Sequence, residues 1–186
     1  MKHLIVCAIL MATASPLAAQ ASVVMPERLS PEQVSVRNAY LVLRDSLHAV
    51  EAGGARLVRD KRGSSDASLS SRARVISRGC TAALGLVDST RVRMMTIESA
   101  QPRVMERRSS LSSSFTELAA GLGKCQAEFT RLAEPANVEE LRGYGFGRAE
   151  AIREIIQHFN KMSWEYLRIL GIEVRPIGAG ANPLAG

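Results

Sequence analysis

The sequence predicts an all-α fold: an antiparallel up-down-up-down four-helix bundle with one intrachain disulfide. Three observations lead to this prediction. Four long segments carry apolar residues in alternating steps of four and three, which places those residues on one stripe of a helix. Turn-forming sequences separate the segments. Cys80 and Cys125 lie nearly symmetrically about Gln101 and Pro102, where a turn is expected, so an antiparallel hairpin would bring the two cysteines face to face.

The first helix is predicted to begin at Ser30. This residue suits the N-cap, Pro31 suits the first helical position, and Gln33 completes a capping box. The helix should end near Gly63, after two basic residues that suit a C-terminal turn. Its predicted core stripe consists of Val36, Tyr40, Leu43, Leu47, Val50, Gly54 and Leu57.

The second and third helices are predicted to form a hairpin joined by the disulfide. The second begins after Ser65 or Asp66, the third begins near Pro102, and Pro135 stops the third. The predicted stripe of the second helix is Leu69, Ala73, Ile76, Cys80, Ala83, Val87, Thr90, Met94 and Ile97. That of the third is Val104, Leu111, Phe115, Leu118, Leu122, Cys125, Phe129 and Leu132.

The fourth helix is predicted to run from Val138 to Leu170 and to pair with the third about Pro135. This pairing places Gly145 in one layer with Leu47, Cys80 and Cys125. The surrounding sequence, 143–147, is the least helical part of the segment and has two interpretations. It could form a flexible edge of a binding cavity that carries Tyr144 and Phe146, or its glycines could give the disulfide room and mark a break between two helices.

The N-terminal 21 residues have the form of a secretory signal peptide: a basic residue, an apolar run and small residues near the expected cleavage site. The apolar run is too short to span a bilayer, which takes about 20 residues. We therefore expect residues 22–172 to form the helical bundle domain of a periplasmic or secreted protein without a membrane span. Residues 173–186, rich in glycine, alanine and proline, are predicted to be a disordered tail.

Positive charge is concentrated in the first half of the mature chain. Residues 36–108 hold 14 basic and 7 acidic side chains, whereas residues 109–186 hold 8 and 9. Two arginine groups follow from the predicted fold. Arg56, Arg59 and Arg62 lie at the first turn, and Arg91, Arg93, Arg107 and Arg108 lie at the opposite end of the bundle. They could contact a protein or an anionic envelope component, or they could form an ordinary solvated surface partly neutralised by Glu134, Glu139 and Glu140.

Sequence patterns for catalysis and cofactors are lacking, so we expect a non-enzymatic protein without metal or cofactor. The chain has no Gly-x-Ser-x-Gly elbow, no glycine-rich phosphate loop and no Cys-x-x-Cys-His haem attachment sequence. The Glu and Glu-x-x-His sets of di-iron bundles are also lacking. Because disulfides persist outside the cytoplasm, Cys80 and Cys125 are expected to pair with each other, and export gives no reason to expect a nucleic-acid partner.

The sequence Leu29-Ser30-Pro31-Glu32-Gln33 resembles the Leu-Thr-x-x-Gln element of the periplasmic Spy-like chaperones and metal-stress proteins, with serine in place of threonine. Those proteins are small, exported and helical, and they work through an exposed concave surface. The resemblance covers five residues and implies a holdase activity as an alternative function. The element also has the form of an ordinary helix N-cap.

Overall fold

The computed structural model describes residues 29–97, 99 and 101–174, and the regular elements among them are helices. They are α1 (Pro31–Asp60), α2 (Asp66–Thr96), α3 (Pro102–Leu132), α4 (Val138–Gly143) and α5 (Phe146–Ile169). Short 3₁₀ turns at Lys61–Gly63 and Pro135–Asn137 follow α1 and α3. The all-helical prediction is confirmed. The structure has five helices among the described residues instead of four, because the fourth segment forms both α4 and α5. This is the break that one of the two interpretations of residues 143–147 predicted.

The predicted signal peptide (1–21), residues 22–28 and residues 175–186 of the predicted tail lie outside the described residues. Within the described part of the chain, no helix combines the length and the hydropathy needed to cross a membrane.

The helix starts follow the predicted capping chemistry. The Ser30 hydroxyl accepts a hydrogen bond from the Gln33 backbone N–H at 3.2 Å, and the Gln33 side chain accepts one from the Ser30 N–H at 2.8 Å. The Ser65 hydroxyl caps α2 by accepting from the Ser68 N–H at 3.3 Å. These bonds satisfy N–H groups that have no partner within the helix, so the predicted starts of α1 and α2 are confirmed.

The predicted core stripes are largely the buried ones. Every predicted position in α1 and α3 is buried, and in α2 Ile97 is the single exception, being only half-buried. The structure also buries serines that the apolar pattern did not identify, among them Ser77 and Ser114. The Ser77 hydroxyl lies 2.7 Å from the Thr130 hydroxyl, and Ser114 donates to the Ser110 carbonyl. Hydrogen bonding of this kind offsets the cost of burying a hydroxyl.

The predicted disulfide between Cys80 and Cys125 is present, with a Cα–Cα distance of 6.2 Å. Both cysteines are buried in the core between α2 and α3. Contacts on either side of the disulfide show that α2 and α3 run in opposite directions, because Ile97 near the end of α2 meets Arg108 near the start of α3, and Ser77 meets Thr130. The loop of 45 residues that the disulfide closes would contribute about 4 kcal/mol in the chain-entropy model.

The fourth segment is broken at Tyr144 and Gly145, which both leave the helical conformation: Tyr144 has a ψ of 115°, and Gly145 is extended, with a ψ of 166°. Two glycines within three residues make a continuous helix costly there, by roughly 1 kcal/mol for each glycine relative to alanine. The break also turns the Tyr144 side chain into the core, where its ring packs 5.1 Å from that of Phe129. From the end of α1, the Lys61 ammonium donates a 2.5 Å hydrogen bond to the Tyr144 carbonyl, which has no helical partner.

The predicted register between the third and fourth segments is wrong by one helical turn. Pairing about Pro135 would place Phe115 opposite Ile155, but its ring packs against Phe159, with the centroids 4.9 Å apart. Gly145 accordingly makes no room for the disulfide, because a Cβ built there would meet only the Gly143 carbonyl oxygen, at 3.9 Å. The 3₁₀ turn and the break add residues that rise differently from an α-helix, and this changes the register.

The four long helices pack as neighbours in a ring, with α1 beside α2, α2 beside α3, α3 beside α5 and α5 beside α1. The short α4 lies against α2. At one end of the ring, the buried Tyr166 hydroxyl donates to the Met94 carbonyl at 3.1 Å, and Gln33 donates to the Leu170 carbonyl at 3.0 Å. The first turns of α1 and the last turns of α2 and α5 therefore lie together.

Candidate binding surfaces

The structure separates the two aromatic residues predicted to share a cavity edge. Tyr144 is buried, with 1% of its surface exposed, and burial raises the pKa of its hydroxyl to about 12. Phe146 is 66% exposed and lines a surface cavity of about 270 Å³ beside Val58 and Arg153. The helix break causes this separation, because it turns Tyr144 toward α3 and places Phe146 next to α1.

Of the three arginines predicted at the first turn, one pairs with a carboxylate. Arg59 Nε donates to Asp60 at 3.1 Å, and Arg72 of α2 donates to the same carboxylate at 3.0 Å. These hydrogen bonds, from Arg59 first, lower the Asp60 pKa. Arg56 Nε donates to the Ala52 carbonyl of its own helix, and Arg62 is exposed and forms no ion pair with any described carboxylate.

The four arginines predicted at the opposite end do lie together, where α2 ends and α3 begins. Arg91 pairs with Asp88 at 3.3 Å, and Arg107 pairs with Glu165 of α5 at 3.1 Å. The other two have neutral partners: Arg93 donates to the Ser35 hydroxyl at 3.3 Å, and Arg108 donates to the Ile97 carbonyl. This end therefore keeps part of its positive charge.

Glu140, in the second half of the chain, pairs with arginines of the same half and not with the arginines at the first turn. Glu140 accepts two 2.6 Å hydrogen bonds from Arg131 and one of 3.3 Å from Arg148. These hydrogen bonds, chiefly those from Arg131, lower the Glu140 pKa to about 2. Glu139 and Glu134 have no ion pair with the first-turn arginines either. The expected neutralisation of Arg56 and Arg62 by these glutamates is not seen.

The net positive charge of the described residues lies on the hairpin of α1 and α2. Residues 29–97 carry eleven basic and six acidic side chains, whereas residues 101–174 carry ten of each. We use the name basic face for Arg74, Val75 and Arg78 of α2, which are all exposed. Arg56, Arg72 and Val75 line a surface cavity of about 350 Å³ between α1 and α2, which also contains Asp60.

Two arginines of the basic face were not identified from the sequence. Arg74 and Arg78 lie one turn apart on α2, both are exposed, and neither has an ion-pair partner among the described residues. Val75 between them is 62% exposed. Both arginines lie off the predicted core stripe of α2, where a basic residue must face solvent or a partner. They could have been identified from the sequence on that ground.

A groove between α1 and α5 holds side chains that the sequence patterns also missed. Its central cavity, of about 400 Å³, is lined by Tyr40, His48, Glu51, Gln157, Asn160, Lys161 and Trp164. The Tyr40 hydroxyl donates to Asn160 Oδ1 at 3.4 Å, and burial raises the Tyr40 pKa to about 12. Trp164 also lines a second cavity, of about 600 Å³, near the end of α5. The chain has a single tryptophan, one turn before Arg168, and this pair could have indicated the groove from the sequence.

Metal-ligating side chains do not cluster in the described residues, where no group of three or more His, Cys, Asp or Glu side chains could hold an ion. His48 is exposed, and its Nδ1 lies 3.9 Å from Glu51. The described cysteines are joined to each other, so neither presents a free thiol.

Comparisons with protein-family models, with curated proteins and with solved structures each found no match. Function is therefore inferred from the chain's own residues.

Proposed function

We propose that this chain is an exported, non-enzymatic helical protein that binds an anionic component of the cell envelope, or another protein, through its basic face. The observation that carries the proposal is the net positive charge of the described α1–α2 hairpin, residues 29–97, beside a charge-balanced second half. Export itself rests on the sequence pattern of residues 1–21. We further propose that the four long helices run up-down-up-down, which would place α1 and α2 side by side along their length.

The chemistry of the basic face supports an anionic partner. A guanidinium group presents several N–H donors that match the geometry of phosphate and carboxylate oxygens. Arg74 and Arg78 have no described carboxylate to displace before they can bind such a group. The exposed Val75 between them adds an apolar contact, which suits a partner with both charge and apolar surface.

The proposal is tested by reversing charge on the basic face. The double variant Arg74→Glu/Arg78→Glu is compared with the wild type for binding to vesicles of phosphatidylglycerol and phosphatidylcholine, and to a soluble polyanion, at low and physiological salt. The matched control is Arg103→Glu/Lys124→Glu, which reverses two exposed charges without described ion pairs on the charge-balanced half. We expect the first pair to abolish binding and the control to retain most of it.

Equal loss in both variants would show that only net charge matters and would contradict a dedicated face. A protein partner is tested with the same variants, by copurification from envelope extract. Retention of every contact by the Arg74→Glu/Arg78→Glu variant would overturn the proposal.

The alternative function, a Spy-like holdase, is favoured by exposed apolar side chains on several helices: Val42, Val75, Val92, Met105 and Phe146. A holdase would suppress aggregation of an unfolding client at near-stoichiometric amounts. Replacement of Val75 and Val92 by serine should then weaken suppression. Absence of suppression by the wild type removes this alternative.

A further inference from the structure

We propose a second binding site, for an anionic amphiphile, in the cavity near the end of α5. The ligand class is a compact oxyanion, carboxylate or phosphate, attached to an apolar chain. The cavity has a volume of about 600 Å³, within the range of roughly 300 to 1,000 Å³ typical of small-molecule sites. It is lined by Arg37, Trp164, Arg168, Gly171, Ile172, Glu173 and Val174. This site does not include the basic face and stands independently of the proposed function.

Two guanidinium groups line the cavity without a carboxylate partner among the described residues. Arg37 belongs to α1, and its Nε is buried with no hydrogen-bond partner in the structure. Arg168 belongs to α5 and forms neither a hydrogen bond nor an ion pair through its side chain with the described part of the chain. Glu173, the one carboxylate among the lining residues, pairs with neither arginine. An oxyanion ligand in the cavity would supply the anionic partner that both guanidinium groups lack.

Trp164 holds one of the two guanidinium groups in place. The Arg168 guanidinium carbon lies 5.1 Å from the centre of the Trp164 ring, a cation–π contact. This contact leaves the guanidinium N–H groups that do not face the ring available to bind an oxyanion. Such preorganisation reduces the entropy lost on binding.

The remaining lining favours an apolar chain attached to the oxyanion. Ile172 and Val174 follow the turn at Gly171, whose positive φ of 71° is the backbone conformation that glycine adopts readily. The Ile172 N–H donates to the Leu167 carbonyl at 2.9 Å, which folds this segment back over the end of α5. The segment thus forms an apolar wall beside the tryptophan ring and the two charges.

The single tryptophan makes this site directly observable. The Trp164 emission and the calorimetric Kd are measured during titration with decanoate and decyl phosphate below their micelle concentrations, and with decanol, acetate and inorganic phosphate. We expect saturable binding of decanoate and decyl phosphate with a change in Trp164 emission, and much weaker binding of the three probes that lack either charge or chain. Decanol binding as tightly as decanoate, or inorganic phosphate as tightly as decyl phosphate, would overturn the proposal.

Substitution of the two arginines tests whether they bind the oxyanion. Arg37→Gln and Arg168→Gln should each weaken binding by roughly tenfold or more, since each removes a charge-assisted hydrogen-bond donor to the oxyanion. The control Arg103→Gln, at the same end of the protein, should bind as the wild type does. Circular dichroism measures whether each variant is folded. If Arg37→Gln does not fold, the Kd of Arg168→Gln, a substitution at an exposed position, is the test of the site. Equal Kd values in Arg168→Gln and the control would contradict the site.

Arg74→Glu/Arg78→Glu should bind decanoate with the wild-type Kd, which separates this site from the basic face.

Discussion

The Gln33 side-chain amide donates a 3.0 Å hydrogen bond to the carbonyl oxygen of Leu170, a residue 137 positions later in the chain. The carbonyl of the same side chain accepts from the Ser30 N–H at 2.8 Å. One side chain therefore caps the start of α1 and satisfies a carbonyl at the end of α5, where helical carbonyls lack intrahelical partners. The capping half of this arrangement follows from local sequence, whereas the bond to Leu170 depends on the packing of the two helices.

Replacing Gln33 should separate these two contributions. Gln33→Ala removes both hydrogen bonds and should lower the free energy of unfolding by about 1 to 2 kcal/mol. Gln33→Glu keeps the acceptor for the Ser30 N–H but cannot donate to Leu170, so its stability should lie between those of the wild type and Gln33→Ala. Urea denaturation followed by circular dichroism measures the differences. A Gln33→Glu variant as stable as the wild type would show that the bond to Leu170 contributes nothing.

The disulfide should contribute most of its stability by restricting the unfolded chain. Cys80→Ala/Cys125→Ala should unfold with a free energy about 4 kcal/mol lower than the oxidised wild type, less the effect of any change in packing. Reductant should destabilise the wild type and leave the double variant unchanged. If peptide mapping without reduction finds Cys80 free or joined to a second chain, the pairing with Cys125 is contradicted.

The Glu140 cluster predicts a defined dependence of stability on pH. The pKa of Glu140 is lowered from 4.5 to about 2 in the folded protein, so between these values the unfolded chain binds more protons than the folded one. The contribution of Glu140 is therefore fully present above its unfolded pKa and is lost as the pH falls toward 2. The stability difference between wild type and Glu140→Gln should be constant from neutral pH to about 5 and should vanish near 2.

The matched control for this pH series is Glu154→Gln, which replaces an exposed carboxylate with no ion pair among the described residues. Its stability should follow that of the wild type across the series. High salt should reduce the Glu140 effect, because exposed charges are screened. A Glu140→Gln difference that persists at low pH would contradict the ion-pair origin.

Alanine should stabilise the protein at one glycine of α3 and gain less, or nothing, at a second glycine two residues away. A Cβ at Gly123 would meet nothing within 4 Å, so Gly123→Ala should stabilise the protein by up to about 1 kcal/mol through helix propensity. A Cβ at Gly121 would lie 2.9 Å from Ile155 Cδ1 and 3.4 Å from its Cγ2, so Ile155 must shift. Gly121→Ala should therefore be less stable than Gly123→Ala by roughly 1 kcal/mol or more. Thermal denaturation of both variants measures this, and equal stabilisation would contradict close packing of α3 on α5.

Much of the helical core could be predicted because its signals are local. Apolar periodicity identified the buried positions of α1 and α3, and the Ser30 cap identified the start of α1. The Cys80–Cys125 pair was predictable because a hairpin with a single short turn has one symmetric register. The register of α5 could not be predicted in this way, because two irregular segments precede it and each changes the rise of the chain.

The candidate sites were harder to predict than the core. One of the two interpretations of residues 143–147 placed Tyr144 and Phe146 on a shared cavity edge, but a break in the helix directs Tyr144 into the core and Phe146 to solvent. Arg37 and Trp164 come together only because α1 packs beside α5, a contact between residues far apart in the sequence. The ion pair between Glu140 and Arg131 likewise depends on the conformation of the turn between α3 and α4, which the sequence pattern does not give.

The sequence by itself determined that the chain is helical, where α1 to α3 begin, which of their faces are buried and which cysteines pair. The helix starts and buried faces depend on residues within one or two helical turns, and the cysteine pair depends on a single symmetric hairpin. Only the tertiary structure decided that the fourth segment does break at residues 143–147, how α5 aligns with α3 and which arginines lack a carboxylate. Those features depend on the balance between packing, turn geometry and ion pairing among helices distant in sequence, which local periodicity does not record.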